Sequence, residues 1–462
     1  MKSNTVTDLG SGSVKHLLLK LAIPAVIAQV INLLYNVVDR IYIGHIPDVG
    51  TNALTGVGLC MPILMLVNAF ATLAGAGGAP RAAIAMGQNR KEDAEQILGN
   101  CFSTLLIIAV FLTVSLSIAA EPLLYLFGAS EHTITYGLDY MRIYLLGSVF
   151  VLIVLGMNTF ITTQGFAKFA MLTTVIGAIM NIVLDPIFIF VFHLGVKGAA
   201  IATILSQCIG AIWVLRFLTG NKTVLRLRVC NFKLKASVIF PCLALGISSF
   251  IMLSTESLLN ISFNSSLAKY GGDLSVGAMT IITSISQLII LPVSGVCQGA
   301  QPIISYNFGA GNKDRVMTAF KCALCICACY TTLGCLLTLL FPTVFASIFS
   351  SDLTLIEHTA KCMRIYMAGI FSFGFQICCQ QTFVALGQAK TSLLLACLRK
   401  LVLLIPLIFV LPLFMENKVS AVFLAEPISD VLAAAVTTFI FFTQIKSILE
   451  KGASQTRSAK QQ

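Results

Sequence analysis

Five carboxylates stand inside long apolar runs of this 462-residue chain: Asp39, Asp185, Glu256, Glu426 and Asp430. An ionised carboxylate in hydrocarbon costs at least ~2.5–3.5 kcal/mol, so such a residue normally faces a cavity and does work there. Asn181 and Asp185 are one helical turn apart, which lets their side chains converge on one ligand. Pro186 follows at once and has no N–H for the carbonyl of Ile182, leaving a loosened turn with a spare acceptor. A carboxylate, an amide and a carbonyl together suit a proton relay or a small cation such as Na+. The bland alternative is a hydrogen-bonded kink without an ion.

Asn32, Tyr35 and Asp39 recur at spacings of three and four, a polar stripe on an otherwise apolar helix. Asp39 could instead pair with adjacent Arg40, but neighbours on a helix diverge by ~100°. Ser249, Glu256 and Asn260 repeat the stripe later in the chain, as a second ion or substrate site or as a packing network. Glu426 and Asp430 share a face four residues apart; Glu426 precedes Pro427, and structural and ion-linked roles are almost equally supported.

Other chemistries find no footing. His16, His45, His132, His193 and His358 lie at span ends or in loops. There is no His-Glu-x-x-His pair, no Gly-x-Ser-x-Gly elbow and no phosphate-binding loop, so neither an enzyme nor direct ATP drive is expected, and no cofactor. Cys322, Cys325 and Cys329 share one face of an apolar helix while Cys327 points elsewhere. Buried cysteine behaves as a small hydrophobe, which favours packing over a zinc site.

The elements that must position these acids are transmembrane helices. The chain is 57% hydrophobic and 11% charged, against about 45–50% and about 25% in soluble domains. Apolar runs mark spans near 17–44, 54–80, 96–119, 136–160, 169–192, 196–219, 236–264, 276–304, 317–341, 361–386, 391–414 and 419–445. Alternate connections hold 19 Lys and Arg on one side against Lys197, Lys269, Lys361 and Lys418 on the other. Seven more lie inside spans or at their ends. The positive-inside rule then predicts both termini in the cytoplasm, which needs an even number of spans and suits twelve. The net charge of +11 is thus topogenic, and no nucleic-acid partner is expected. Met1–Gly12 is polar and no cleavage site follows, so the first helix is expected to be retained. Arg142 and Arg364 enter their spans from the outer side as interfacial anchors.

The chain repeats itself. Met141-Arg142-Ile143-Tyr144 recurs as Met363-Arg364-Ile365-Tyr366, 222 residues on, and Gly77 and Gly87 fall on Gly299 and Gly309 at the same offset. Pro24 and Asp39 correspond to Pro241 and Glu256 at an offset of 217. The expected organisation is a six-helix bundle over 1–219, a basic linker over 220–235, a second six-helix bundle over 236–446 and a polar tail over 447–462. Parallel repeats of this kind are a transporter architecture.

At these residues the chain resembles the multidrug and toxic compound extrusion (MATE) family. The resemblance rests on Pro24 with Asp39, on Asn181-Ile-Val-Leu-Asp185-Pro186-Ile-Phe-Ile-Phe, and on Leu194-Gly195-Val196-Lys197-Gly198-Ala199 running to Thr203. Gly87-Gln88-Asn89 and Tyr306-Asn307-Phe308-Gly309-Ala310 fit the same pattern, closest to the DinF-like, MepA-type bacterial branch. It implies an all-α polytopic membrane protein of twelve helices in two pseudo-symmetric bundles arranged as a V. It implies a monomer in the bacterial plasma membrane that exports organic cations and amphipathic drugs against an inward flow of H+ or Na+. Carried over, Asp39, Asn181, Asp185 and Thr203 form the site of the coupling cation, H+ or Na+, the first three being where Na+ would sit, and Pro24 is the bend of the first helix. Glu256 matches one of two acids used by another branch, but Phe375 stands where the second is expected. Drug-accepting walls are sought among Met252, Met279 and Phe160. The rival reading is a lipid-linked oligosaccharide flippase, expected to line its cavity with basic rather than acidic groups; a fixed channel fits the repeat less well.

Overall fold

The computed structural model describes residues 8–47 and 49–461, with side chains from position 8 to 452 except Asp48, Thr51 and Ser257. The side chains of Lys2, Arg457 and Lys460, three of the nineteen topogenic charges, lie outside the described residues. Among the described residues twelve long helical segments follow one another, and we label them by chain order. They are α1 (Val14–Gly44), α2 (Gly50–Gly87), α3 (Lys91–Leu126), α4 (Ile134–Leu146 and Ser148–Thr163, bent by 56°), α5 (Ala167–Val191) and α6 (Gly195–Thr219). Ala236–Gly309 is 74 residues of helix broken at Gly272, whose φ of 61° is left-handed; its arms, 236–271 and 273–309, are α7 and α8. Then come α9 (Lys313–Leu340), α10 (Leu353–Ala385), α11 (Ala389–Phe414) and α12 (Lys418–Gln461). The last continues as helix through the segment expected to be a tail.

Lipid-facing stripes are explicit. On α3, Val110, Phe111, Val114 and Ile118 are all more than half exposed and recur at helical spacing, the pattern of a helix whose outer face meets hydrocarbon instead of water.

The chain divides into two compact units. One holds 27–253 and the other holds Leu9–Val26 with Ser254–Gln462. The first arm of α7 therefore belongs with the N-terminal helices, and the first half of α1 with the C-terminal ones. Small residues explain this. A Cβ on Gly77 of α2 would collide with the backbone of Cys242 and Gly246, and one on Gly246 with the backbone of Leu73. In the other unit, a Cβ on Gly299 of α8 would lie 2.5 Å from Ala22 Cα, and one on Gly295 would lie 2.7 Å from Val26 Cα. Close backbone approach between apolar helices needs such residues. Gly77 and Gly299 are the pair that the 222-residue offset relates, so the repeat preserves one packing device in both units. The change of unit along α1 falls two residues beyond Pro24, which is buried inside the helix.

The basic linker is docked on the first unit by three buried polar side chains. Gln164 Oε1 accepts from the backbone of Val224 and Leu225 at 2.8 Å each and from Thr223 Oγ1 at 2.7 Å. Asn100 donates to the carbonyls of Asn231 and Lys233 and accepts from Lys235 N–H at 2.7 Å. Glu95 accepts from Arg226 N–H and pairs with Arg228 at 3.2 Å. Removing a buried partner exposes each orphaned group to a desolvation cost of about 1–3 kcal/mol. Asn100→Ala is therefore expected to loosen the linker: limited trypsin digestion of the purified protein should cut at Arg226, Arg228, Lys233 or Lys235 several-fold faster. Unchanged cleavage would show that the linker is held elsewhere.

Two of the proposed drug-accepting walls are corrected. Phe160 is wholly buried and Met279 is 5% exposed, each inside its own unit's core. Their helical phase turns them toward neighbouring helices, which the apolar runs alone did not show.

Candidate functional site

The polar centre of the first unit is built by α1, α4, α5 and α6. Asn181 Nδ2 donates to Asp185 Oδ1 at 3.1 Å and lies 3.4 Å from Thr203 Oγ1. Asp39 and Asp185 are close neighbours, and Tyr140 lies near both Asp39 and Thr203. Tyr140 is itself stacked on Tyr144 at 6.1 Å between ring centroids. Of the four expected cation-site residues, all are therefore connected in one network. Arg40 is exposed and makes no ion pair with Asp39 among the described residues.

Local chemistry explains how α5 and α6 meet here. After Pro186 the helix widens into a π-turn over Ile187–Val191, the form helices take where the regular ladder is broken. The chain then reverses through His193 and Gly195, both with positive φ. Gly198 allows α6 to start against that turn, because a Cβ there would lie 2.6 Å from the backbone of Phe188. That contact sets the register that brings Thr203 to Asn181.

Three buried oxygens in this network have no hydrogen-bond partner: Asp39 Oδ1, Asn181 Oδ1 and Asp185 Oδ2. Two neighbouring carboxylates repel unless a proton or a metal cation lies between them, since a carboxylate has acceptors only. The cluster is acceptor-rich and donor-poor, and its chemistry fits a monovalent cation. Tyr35 sits beside both acids, whereas Asn32 is exposed on the same helix.

The second unit treats its acids differently. Arg399 lies between Glu426 at 2.9 Å and Asp430 at 2.7 Å, and its guanidinium sits 4.7 Å above the Phe373 ring. Ser429 Oγ donates to the Arg399 carbonyl at 3.0 Å. Lys400 Nζ pairs with Glu256 at 2.6 Å. Both basic residues ride on a π-helical turn, Leu398–Leu404. Its wider turn lets adjacent residues address different neighbours, α12 for Arg399 and α7 for Lys400. Ser249 falls in the other unit, and Asn260 is exposed on α7 as Glu256 is. Sequence reasoning passed over Arg399 and Lys400. The rule that singled out the acids, a charge inside an apolar run, would have found them.

Among the described residues no group of three or more His, Cys, Asp or Glu side chains is arranged to hold a metal ion. All fifteen cysteines are free thiols, with Cys327 and Cys335 buried and Cys325 and Cys329 exposed.

Comparison with known proteins agrees with this architecture. The MatE family profile matches residues 24–187 and 248–410, more than half of the chain. The multidrug export protein MepA of Staphylococcus aureus (strain NCTC 8325 / PS 47) is 23% identical over 422 residues, covering 89% of this chain and 90% of MepA. MepA of Staphylococcus haemolyticus (strain JCSC1435) is 23% identical over 411 residues, with the same coverage of each chain. Among solved structures, a MATE in the bent conformation superposes with a TM-score of 0.91 at 24% identity, over 98% of this chain and all of that one. A MOP superfamily transporter from Pyrococcus furiosus gives 0.89 at 24% identity, over 97% of this chain and 99% of that one. The chain belongs to the MatE family, whose members are membrane transporters and not enzymes.

Proposed function

We propose that this protein exports organic cations and amphipathic small molecules by alternating access, exchanging them for inward H+ or Na+ at Asp39, Asn181, Asp185 and Thr203. The observation that carries this reading is the carboxyl pair, each acid with one buried unpartnered oxygen, and the unpartnered Asn181 Oδ1 beside it. Binding a cation there removes net negative charge from a low-dielectric pocket. An ion can drive a two-state transporter only by binding its two conformers unequally, and neutralising this cluster does that. A cationic drug competes for the same negative field and leaves as the ion arrives.

The relatives named MepA support multidrug export, and their bacterial origin supports the plasma membrane as its location. The charge bias of the loops supports cytoplasmic termini, and the protein is taken to act as a monomer. The flippase reading gains nothing from the two newly found basic residues, because Arg399 and Lys400 are both committed to carboxylates.

The test is ethidium efflux from proteoliposomes with a proton gradient or a sodium gradient imposed separately. One of the two is expected to drive efflux in the direction opposite to its own flow. Efflux indifferent to both gradients would reopen the flippase reading.

A further inference from the structure

We infer that Lys400 is a tethered counter-ion that stands in for a coupling cation in the second unit. This rests on the proposed exchange of a cation at Asp39 and Asp185. The two units place related acids on related helices, Asp39 on α1 and Glu256 on α7, 217 residues apart. In the first unit the partner from α5 is another acid, Asp185, and the pair is complete only with a cation from outside. In the second unit the partner from the related helix α11 is a base. Residues 401–414 of α11 carry no ionisable side chain at all, and the helix's two buried charges are Arg399 and Lys400.

The geometry favours a fixed partner. The Lys400 side chain is 3% exposed and Nζ is 2.6 Å from Glu256, whose own side chain is 48% exposed. The ammonium is anchored on the buried side and the carboxylate faces outward. Arg399, Glu426 and Asp430 are further charged groups near Lys400, and Arg399 is already held between Glu426 and Asp430. Glu256 is thus neutralised by the chain itself. The side-chain nitrogen is covalently tethered, so while it keeps its proton it satisfies the carboxylate without leaving for either side of the membrane. Lys400 is in this sense a positioning residue that sets how many cations one cycle carries.

The proposal is tested on purified full-length protein by counting cations displaced when tetraphenylphosphonium saturates it. Protons are read with a pH dye in weak buffer and sodium by 22Na+ binding. Lys400→Gln is expected to displace one further cation per protein, Lys400→Arg to keep the wild-type count, and Lys400→Gln/Glu256→Gln to return to it. An unchanged count for both ions in Lys400→Gln would overturn the proposal. Glu256→Gln alone provides a second reading should Lys400→Gln not fold. It is expected to leave the count unchanged, and a loss of one cation would show that Glu256 takes its cation from outside. If wild-type protein displaces no cation, the exchange at Asp39 and Asp185 is what fails. Lys400 is then refuted separately if Lys400→Gln also displaces none.

Discussion

Asp39→Asn is expected to reduce gradient-driven ethidium efflux to the rate of protein-free vesicles while leaving expression and folding intact. Asparagine keeps the size of the side chain and adds an N–H donor, which can satisfy Asp185 without any ion. The substituted site holds one carboxyl where the native one holds two, so the charge that a bound cation can cancel is halved. A ligand with equal affinity for two states shifts nothing, however tightly it binds. The coupling ion loses the position between two carboxyls, and Asp185 bonded to the new amide distinguishes the two conformers too weakly to drive exchange. Asp185→Asn should act in the same way, because the proposed position for the cation lies between the two neighbouring carboxyls. Asn181→Ala removes only the amide that holds Asp185 at 3.1 Å, so it should weaken ion affinity and leave a slower, still coupled exchange. Undiminished efflux by a well-expressed Asp39→Asn protein would remove the carboxyl pair from the mechanism.

The second large effect is structural. Arg399→Met is expected to destabilise the second unit by about 3–5 kcal/mol, because two buried carboxylates lose the cation between them. Glu426, Asp430 and Arg399 are all buried, so water cannot replace the guanidinium. Lysine should rescue poorly, since it lacks the planar fork that bonds both acids at once. Arg399→Met/Glu426→Gln/Asp430→Asn should recover most of the loss, as a buried ion cluster exchanged for neutral groups of similar volume is often close to neutral in energy. Fluorescence of a thiol-reactive dye during heating reports this directly, because most of the cysteines in this unit are shielded until the helices separate. Equal melting of Arg399→Met and wild-type protein would contradict a supporting role for the cluster.

Much of the first site was legible in the sequence because its determinants are local. Asn181 and Asp185 are one turn apart, and Pro186 marks the break beside them, so periodicity alone placed their side chains together. Joining Asp39 and Thr203 to them required the family resemblance, and the structure connects all four. Tyr140 was missed, although it immediately precedes the repeated Met-Arg-Ile-Tyr and stacks on the last residue of that motif's first copy. The second unit was read less well for a physical reason. Glu256 and Lys400 are 144 residues apart and Arg399 and Glu426 are 27 apart, so only tertiary packing reveals that the acids are already neutralised. The π-turns at 187–191 and 398–404 have no composition of their own, and they decide which way neighbouring side chains face. The glycine repeat was visible as an offset, but its meaning as a close-approach device needed the helices in place.

The measurement closest to the central claim is the release of a bound cation when drug binds. In weakly buffered detergent solution, saturating wild-type protein with ethidium should release a proton, or displace 22Na+ in sodium-loaded protein, and Asp39→Asn should release neither. Full ethidium binding by wild-type protein with no cation released would contradict exchange at the Asp39–Asp185 pair.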